Sequence, residues 1–440
     1  MPASESVIRR MTRLAHQHGA VNLAQGFTDE PPPFPLVRAA IAALLGGSDA
    51  GIRRIEQAPA AGSDAAAGGS PALLLDLLPS LQGGRDELNQ YSYPFGLPEL
   101  RRAISAYTAR WSGFEPDPET ETTVALGSTE GLAAVLAAVG RRGDGVVVIE
   151  PFHEMYPAQA AVFGLTPRYV TLRESAGDGV WRLDPNELRR AADGARLLIL
   201  NSPHNPSGKV FDIGELETIA AVARAQDLVV VTDEIYEHVV FDGARHRSIA
   251  TLDGMRERTV VVNSISKTAN ATGWRIGWVL APPHLTPRIR AVHDTLVIQA
   301  PTPLQKAAVA LLEMPAEFFA DLARAYAGKR ALLGDSLRAA GFRTTTPRGA
   351  YYLFADYRGV AGIGHLDPMA AALHLIEQVG VAAVPGDNFY ARSADGARYL
   401  RFAFCRSRDS LNGAAHRLRR LAGPPRANAG PVASPERIPR

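Results

Sequence analysis

Short runs of β-branched and aliphatic residues recur through the middle of the chain with helical patterns between them: VVVIE at 146–150, LLIL at 197–200, LVVVTDE at 228–234 and TVVVNS at 259–264. A strand that is apolar on both faces must be covered on both. Such runs separated by helices therefore predict an α/β fold with a mostly parallel sheet between helices. In sheets of this kind ligands collect beyond the carboxyl ends of the strands. The polar residues that close the runs fall there: Asp233 ends one strand, Ser264 ends another, and NSPHNPSG at 201–208 follows a third.

The bulk numbers exclude several classes. With 440 residues, 46% hydrophobic and 21% charged, the chain can bury a large core and has the length of two or three domains. Lys plus Arg number 47 against 45 Asp plus Glu, a net charge of +2, which leaves no reservoir of positive charge for binding nucleic acid. A single cysteine, Cys405, excludes an internal disulfide framework and a cysteine-based zinc site, and it points to a reducing compartment. The 11 histidines form no ligand-spaced set, so no metal is expected. No run reaches the roughly 18 apolar residues of a membrane helix. Val7, Ile8, Met11 and Leu14 stand at helical spacing among arginines, without the apolar stretch of a secretory signal. This predicts a cytoplasmic protein whose N-terminal arm is a helix docked on its own fold or on a partner subunit, rather than a targeting peptide.

Two segments stand apart. Residues 47–85 are rich in Ala, Gly and Ser and read as a partly flexible, loop-like insertion, with one apolar patch from Leu73 to Leu81 able to form a short helix. Residues 423–440 hold too few large apolar groups to offset the entropy of ordering and are expected to be disordered.

The chemistry concentrates in four motifs. In SISKTANATGWRIGW, from Ser264 to Trp278, Lys267 follows a buried strand and precedes Arg275 by eight residues. Taken alone, such a lysine reads as a solvated loop residue. Desolvated beside hydroxyls, it becomes an amine able to condense with an aldehyde, while the hydroxyls and Arg275 suit a phosphate. In TDEIYEHVVFDG, Asp233 closes an apolar strand and can hold a pyridine nitrogen protonated, and Tyr236 can present its phenol to a ring oxygen. NSPHNPSGKVF sets Asn205 before a proline, in a turn that aims its amide inward. GSTEGLAAVLAAV, at 127–139, reads as a turn into a helix whose first N–H groups, at Ser128 and Thr129, offer a phosphate site. The plainer alternative makes Ser128 or Thr129 an ordinary N-cap.

Taken in order, VNLAQGF near 21, NQYSYPFG at 89, GSTEGL at 127, EPFHEMY at 150, NSPHNPSGK at 201, TDEIYE at 232, SISKTANATGWRIGW at 264 and YLRFAFC at 399 resemble the fold-type-I, class I/II aminotransferases, which depend on pyridoxal 5′-phosphate (PLP). The likeness is nearest the kynurenine and methionine aminotransferase branch and runs from about Val21 to Leu421. It implies Lys267 as the Schiff-base lysine and proton shuttle, Asp233 on the pyridine nitrogen, and Tyr236 with Asn205 on the ring oxygen. Ser264, Arg275, Ser128 and Thr129 are implied on the phosphate. Tyr91 is similar to a tyrosine that reaches the phosphate of the neighbouring subunit, so a homodimer with shared sites is implied. Arg401 matches the arginine that pairs with the substrate α-carboxylate, with Asn205, Gly26 and Phe27 on the substrate side. The implied architecture is a large PLP domain at 86–315 and a smaller α/β domain from both chain ends, 20–46 with 316–422, preceded by an arm at 1–19.

The sequence departs from the family's pattern at two points. His153 stands where an aromatic ring covers the cofactor; it can stack, and as an imidazole it is expected to titrate near neutral pH. Ile8, Ile298 and Gln299 replace aromatic residues of the kynurenine-type pocket, which implies a substrate side chain that is aliphatic or polar rather than aromatic. The expected reaction is ping-pong transamination between an L-amino acid and a 2-oxo acid. Other PLP chemistry on the same scaffold (β-elimination, cyclisation, or oxidation of an amino acid) and a non-catalytic PLP-binding regulator remain alternatives. A nicotinamide dehydrogenase is disfavoured, because no GxGxxG follows a first strand.

Overall fold

The computed structural model describes residues 5–44, 90–175 and 179–421. The predicted insertion at 47–85 and the predicted disordered tail at 423–440 lie outside the described residues. At the centre is a seven-stranded sheet in the order Thr122–Ala125, Gly277–Leu280, Thr259–Ser264, Val229–Asp233, Ala195–Asn201, Gly145–Glu150, Thr166–Thr171. Neighbours are parallel except that Gly277–Leu280 runs antiparallel to both of its partners.

The two-faced burial read from the apolar runs is explicit in the packing. Val147, Ile149, Leu198, Leu200 and Val230 face one core, and Val146, Val148, Leu197, Ile199, Val229 and Val231 face the other. This is the period-two alternation of a pleated strand in which both sets of side chains are apolar. Burying every side chain leaves the strand ends as the places where polar groups can collect, and the register puts Asn201 beside Asp233 there.

The first of these cores continues into a four-stranded antiparallel sheet, in the order Arg343–Thr344, Tyr352–Asp356, Tyr399–Ala403, Val384–Pro385. Val21–Asn22 pairs in parallel with Val381–Ala382, so the two ends of the described chain meet in this layer. The N-terminal helix, Val7–Gln17, buries Ile8, Met11 and Ala15 against its own fold. Of the two roles read for the arm, docking on its own fold is thus the one seen in the single chain. Among the described residues no helix is long and apolar enough to cross a membrane.

A charge cluster ties the hairpin Arg173–Glu174/Trp181–Arg182 to the four-stranded sheet. The buried Glu174 carboxylate accepts from both terminal nitrogens of Arg343, at 2.5 and 2.8 Å, from Arg398 at 2.8 Å and from the Tyr399 hydroxyl at 2.8 Å. Removing the acid takes an acceptor from the Tyr399 hydroxyl and from two partly exposed arginines that still face Asp356. Glu174→Ala is therefore expected to cost about 1 kcal/mol of stability, read as a lowered denaturant midpoint; an unchanged midpoint would show that the cluster contributes nothing.

Candidate active site

A cavity of about 900 Å³ opens beyond the carboxyl ends of the central strands. Its walls come from the ends of strands 195–201 and 229–233, the loops after them, the start of helix Gly127–Val139, the N-terminal arm, and Tyr352 and Arg401 of the four-stranded sheet. Lys267, Asp233, Tyr236, Asn205, Ser128, Thr129, His153, Arg275, Arg401, Gly26 and Phe27 all line it.

At its floor, the Lys267 Nζ donates to the Gly26 carbonyl at 2.9 Å. Burial, opposed by Cys405 and Asp233, lowers its pKa from 10.5 to about 8, because a desolvated ammonium is disfavoured. Asp233 is displaced in the opposite sense: burial raises its pKa to about 6, although the Tyr156 hydroxyl donates to Oδ2 at 2.7 Å and favours the carboxylate. Tyr236 exchanges a hydrogen bond with the Tyr352 hydroxyl at 3.1 Å, and burial raises its pKa well above the usual phenol value. It therefore keeps a proton to donate.

One end of the cavity is built for an anion. Helix Gly127–Val139 follows Leu126, which makes no side-chain capping bond. This corrects the reading of Ser128 or Thr129 as an N-cap and leaves the first turn's N–H groups for a ligand. Gly127 has φ +74°, and an added Cβ would stand 2.3 Å from the Arg275 Nη2, so the glycine makes room for the guanidinium.

At the other end, the buried Arg401 Nη1 donates to the Asn205 Oδ1 at 3.1 Å and Nη2 to the Ala24 carbonyl at 2.6 Å, while Nε has no partner among the described residues. Asn205 is placed by its own backbone N–H, which donates to the Asn201 side chain at 2.8 Å; the Asn201 amide in turn donates to the Asp233 carbonyl at 3.0 Å.

These features fit PLP: an uncapped helix end and a guanidinium for the phosphate, a buried carboxylate lacking a full counter-charge for a protonated ring nitrogen, and a neutralisable amine between them. His153 behaves otherwise than expected. Burial first, with Arg401 and Lys267 nearby, lowers its pKa to about 3, so it is neutral at physiological pH. Its Nδ1 accepts from the Met155 N–H at 3.2 Å. Ser264 does not line the cavity: it is buried and accepts from the Ser266 N–H at 3.3 Å, and Ser266 lines the wall instead. Tyr91 is also absent from the cavity of its own chain, at 77% exposure. Ile8 lines the cavity, whereas Ile298 is exposed and Gln299 accepts from Ser92 at 2.5 and 2.7 Å. Sequence reasoning missed Tyr156, Tyr352, Ser266 and Asn201. Tyr156 stands in the EPFHEMY motif, and its signal was a phenol three residues after the ring-covering position.

Comparison with known proteins places this geometry. Residues 74–418 match the family Aminotransferase class I and II. The chain is 37% identical to a probable N-succinyldiaminopimelate aminotransferase, DapC, of Mycobacterium tuberculosis over 433 residues, covering 96% of this chain and 98% of the relative. It is 32% identical to human kynurenine–oxoglutarate transaminase 1, covering 93% and 94%. Among solved structures, N-succinyldiaminopimelate aminotransferase from Mycobacterium tuberculosis superposes with a TM-score of 0.83 at 36% identity, covering 96% of this chain and 98% of that one. YbdL from Escherichia coli, identified as a methionine aminotransferase, gives 0.80 at 29% identity, covering 96% and 98%.

Two outcomes are expected of the apoprotein. Because the neutral amine forms above its pKa, labelling of Lys267 by an aldehyde reagent rises with pH to a plateau with its midpoint near 8; a midpoint above 10 in the pH-rate profile would mean a solvated lysine. Gly127→Ala, which combines a strained φ with a clash against Arg275, weakens PLP binding about tenfold or more in a spectrophotometric titration.

Proposed function

The chain belongs to the class I and II aminotransferases, and on that premise we propose how its own residues divide the work of transamination. The observation that carries the reading is the Lys267 amine, with its lowered pKa, held in one cavity with Asp233, Arg275 and Arg401. PLP, when bound, supplies an electron sink for the charge left on the substrate α-carbon.

Arg275, Ser266 and the N–H groups at Ser128 and Thr129 hold the phosphate, with Ser264 bracing Ser266 from behind. Asp233, oriented by Tyr156, takes the ring nitrogen; Tyr236 and Asn205 donate to the ring oxygen; the neutral His153 covers the ring. Arg401 anchors the substrate carboxylate, with Gly26 and Phe27 beside it, and so turns the α-hydrogen toward Lys267, which takes that proton as a neutral amine. A single arginine fork must serve the donor acid and the acceptor acid in turn, which favours a ping-pong order in which the first product leaves before the second substrate enters. The cavity is read as the seam between a large part at 86–315 and a smaller part at 20–46 with 316–422.

Besides the residues assigned above, the cavity is lined by Val7, Ile8 and Met155 together with Arg9, Gln25, Glu154 and Asn388. This mixture of aliphatic and polar groups without a further aromatic ring supports an aliphatic or polar substrate side chain. The relative named for N-succinyldiaminopimelate adds acylated diamino acids to the candidates. Tyr91, Tyr93, Leu296 and Ile298 are all exposed, and the first two are tied to the last by the bonds from Ser92 to Gln299. An apolar face of this kind supports a homodimer in which Tyr91 enters the partner's site. The buried, unpaired Cys405 supports a cytoplasmic location.

The test is an absorption titration of the PLP-loaded enzyme with methionine, glutamine, arginine, N-succinyldiaminopimelate, phenylalanine and kynurenine, with product analysis by mass. The expected products are 2-oxo acids, formed severalfold faster from the aliphatic and polar donors; release of ammonia, peroxide or a cyclised product would overturn the reaction assignment. Arg401→Lys, which loses the planar fork, is expected to lower kcat/KM about a hundredfold.

A further inference from the structure

Behind the anion-binding helix end lies a buried pair that the reaction does not use. His293, in helix Thr286–Val297, and Glu130, in the first turns of helix Gly127–Val139, are both buried. The His293 Nδ1 lies 2.9 Å from the Glu130 Oε1, and its Nε2 lies 2.9 Å from the Pro94 carbonyl. The other Glu130 oxygen accepts from the Leu126 N–H at 2.9 Å.

Both neighbours of the ring are acceptors. A carbonyl cannot donate, and the Glu130 carboxyl, whose other oxygen already accepts the Leu126 N–H, turns an acceptor oxygen to the ring. A neutral imidazole would then aim one lone pair at an acceptor. We propose that His293 is a positioning residue, held as a doubly protonated imidazolium, that locks the start of the phosphate-binding helix to the segment carrying Tyr91.

The bonds trace this linkage residue by residue. Glu130 occupies the Leu126 N–H, so the turn immediately before Gly127, Ser128 and Thr129 is fixed and their N–H groups stay aimed at the cavity. On the other side the imidazolium grips Pro94, three residues after Tyr91. The same helix holds that segment twice more: the Arg290 guanidinium lies 4.1 Å from the Phe95 ring centre, and Gln299, two residues past the helix end, accepts from Ser92. The charged groups facing the ring are Glu130 across from it and Asp294 beside it, both acidic; the nearest cation of its own helix, Arg290, is turned to Thr122 and Thr123. The His293 pKa is raised accordingly: burial, the largest influence, opposes the charge, and Glu130 together with the Pro94 carbonyl and Asp294 outweighs it.

The inference rests on the phosphate lying at Gly127–Thr129, and its test separates the two. In ¹⁵N-histidine-labelled holoenzyme titrated with pH, with His293 assigned through His293→Gln, both ring nitrogens are expected to stay protonated beyond the midpoint of a free imidazole; loss of the second proton at or below that midpoint would overturn the proposal whether or not any variant folds. In the apoprotein, His293→Leu is expected to weaken PLP binding about tenfold, with His293→Gln intermediate because its amide can donate to only one side well. The ratio of wild-type to His293→Gln affinity, in which the common gain from the Lys267 amine cancels, is expected to fall as pH rises through the raised pKa of His293. If Arg275→Ala weakens PLP binding while His293→Leu does not, the positioning role fails and the phosphate site stands. If Arg275→Ala leaves the affinity unchanged, the phosphate placement itself has failed.

Discussion

Desolvation is the constraint on which the chemistry of this protein depends. The cavity floor holds an amine and a carboxylate away from water, and burial is the largest influence on each: it lowers Lys267 to about 8 and raises Asp233 to about 6. Neither value belongs to a solvated side chain. Asp233 closes the strand Val229–Asp233 and Lys267 follows the strand Thr259–Ser264 by three residues, both strands buried along their whole length, so the sheet that stabilises the fold is also what withholds water from them. An amine that deprotonates readily and an acid that gains from a cationic neighbour are what a PLP enzyme needs, and the fold holds both ready for the cofactor.

Maintaining polar groups at such a depth requires partners for each. Behind the Asp233 strand, Glu234 accepts from Ser248 at 2.8 Å and meets His246 at 2.9 Å, while Glu237 accepts from Tyr107 and Asn263, both at 2.7 Å. Asn263 also accepts the N–H of Ser264 at 2.7 Å. The turn carrying Tyr236 and the strand end leading to Lys267 are thereby joined through Glu237 and Asn263. Satisfied networks of this kind fix one arrangement of a buried polar region, and a partly satisfied one is costly. The residues that line the cavity are held by this second set of side chains as much as by the backbone.

Much of this was legible in the chain. The four apolar runs announced their strands because burial on both faces leaves them dominated by aliphatic residues, with Asp233 and Ser264 at the ends where ligands collect. The motif series told the family. The points where the packing adds to or alters the reading share a cause, which is that they concern how side chains see one another. His153 was read with the titration of a free imidazole, but the cations Lys267 and Arg401 approach it from 114 and 248 residues away in sequence, and burial takes its pKa to about 3. Ser264 and Ser266 are equivalent by composition; which of them faces the cavity is decided by the turn after the strand. Tyr156 was passed over because nothing local says that its hydroxyl meets a carboxylate 77 positions later.

Local pattern therefore determined the strands and the helix starting at Gly127, and the ordered motif series singled out Lys267, Asp233 and Arg401 as candidates, because periodicity and motif chemistry are properties of neighbours in sequence. The tertiary structure alone decided the protonation of His153, the pairing of Tyr156 with Asp233, and the meeting of His293, Glu130 and Pro94. Solvent exclusion and hydrogen-bond geometry exist only once distant segments have been packed together, and they set the charge on each group that the sequence merely supplies.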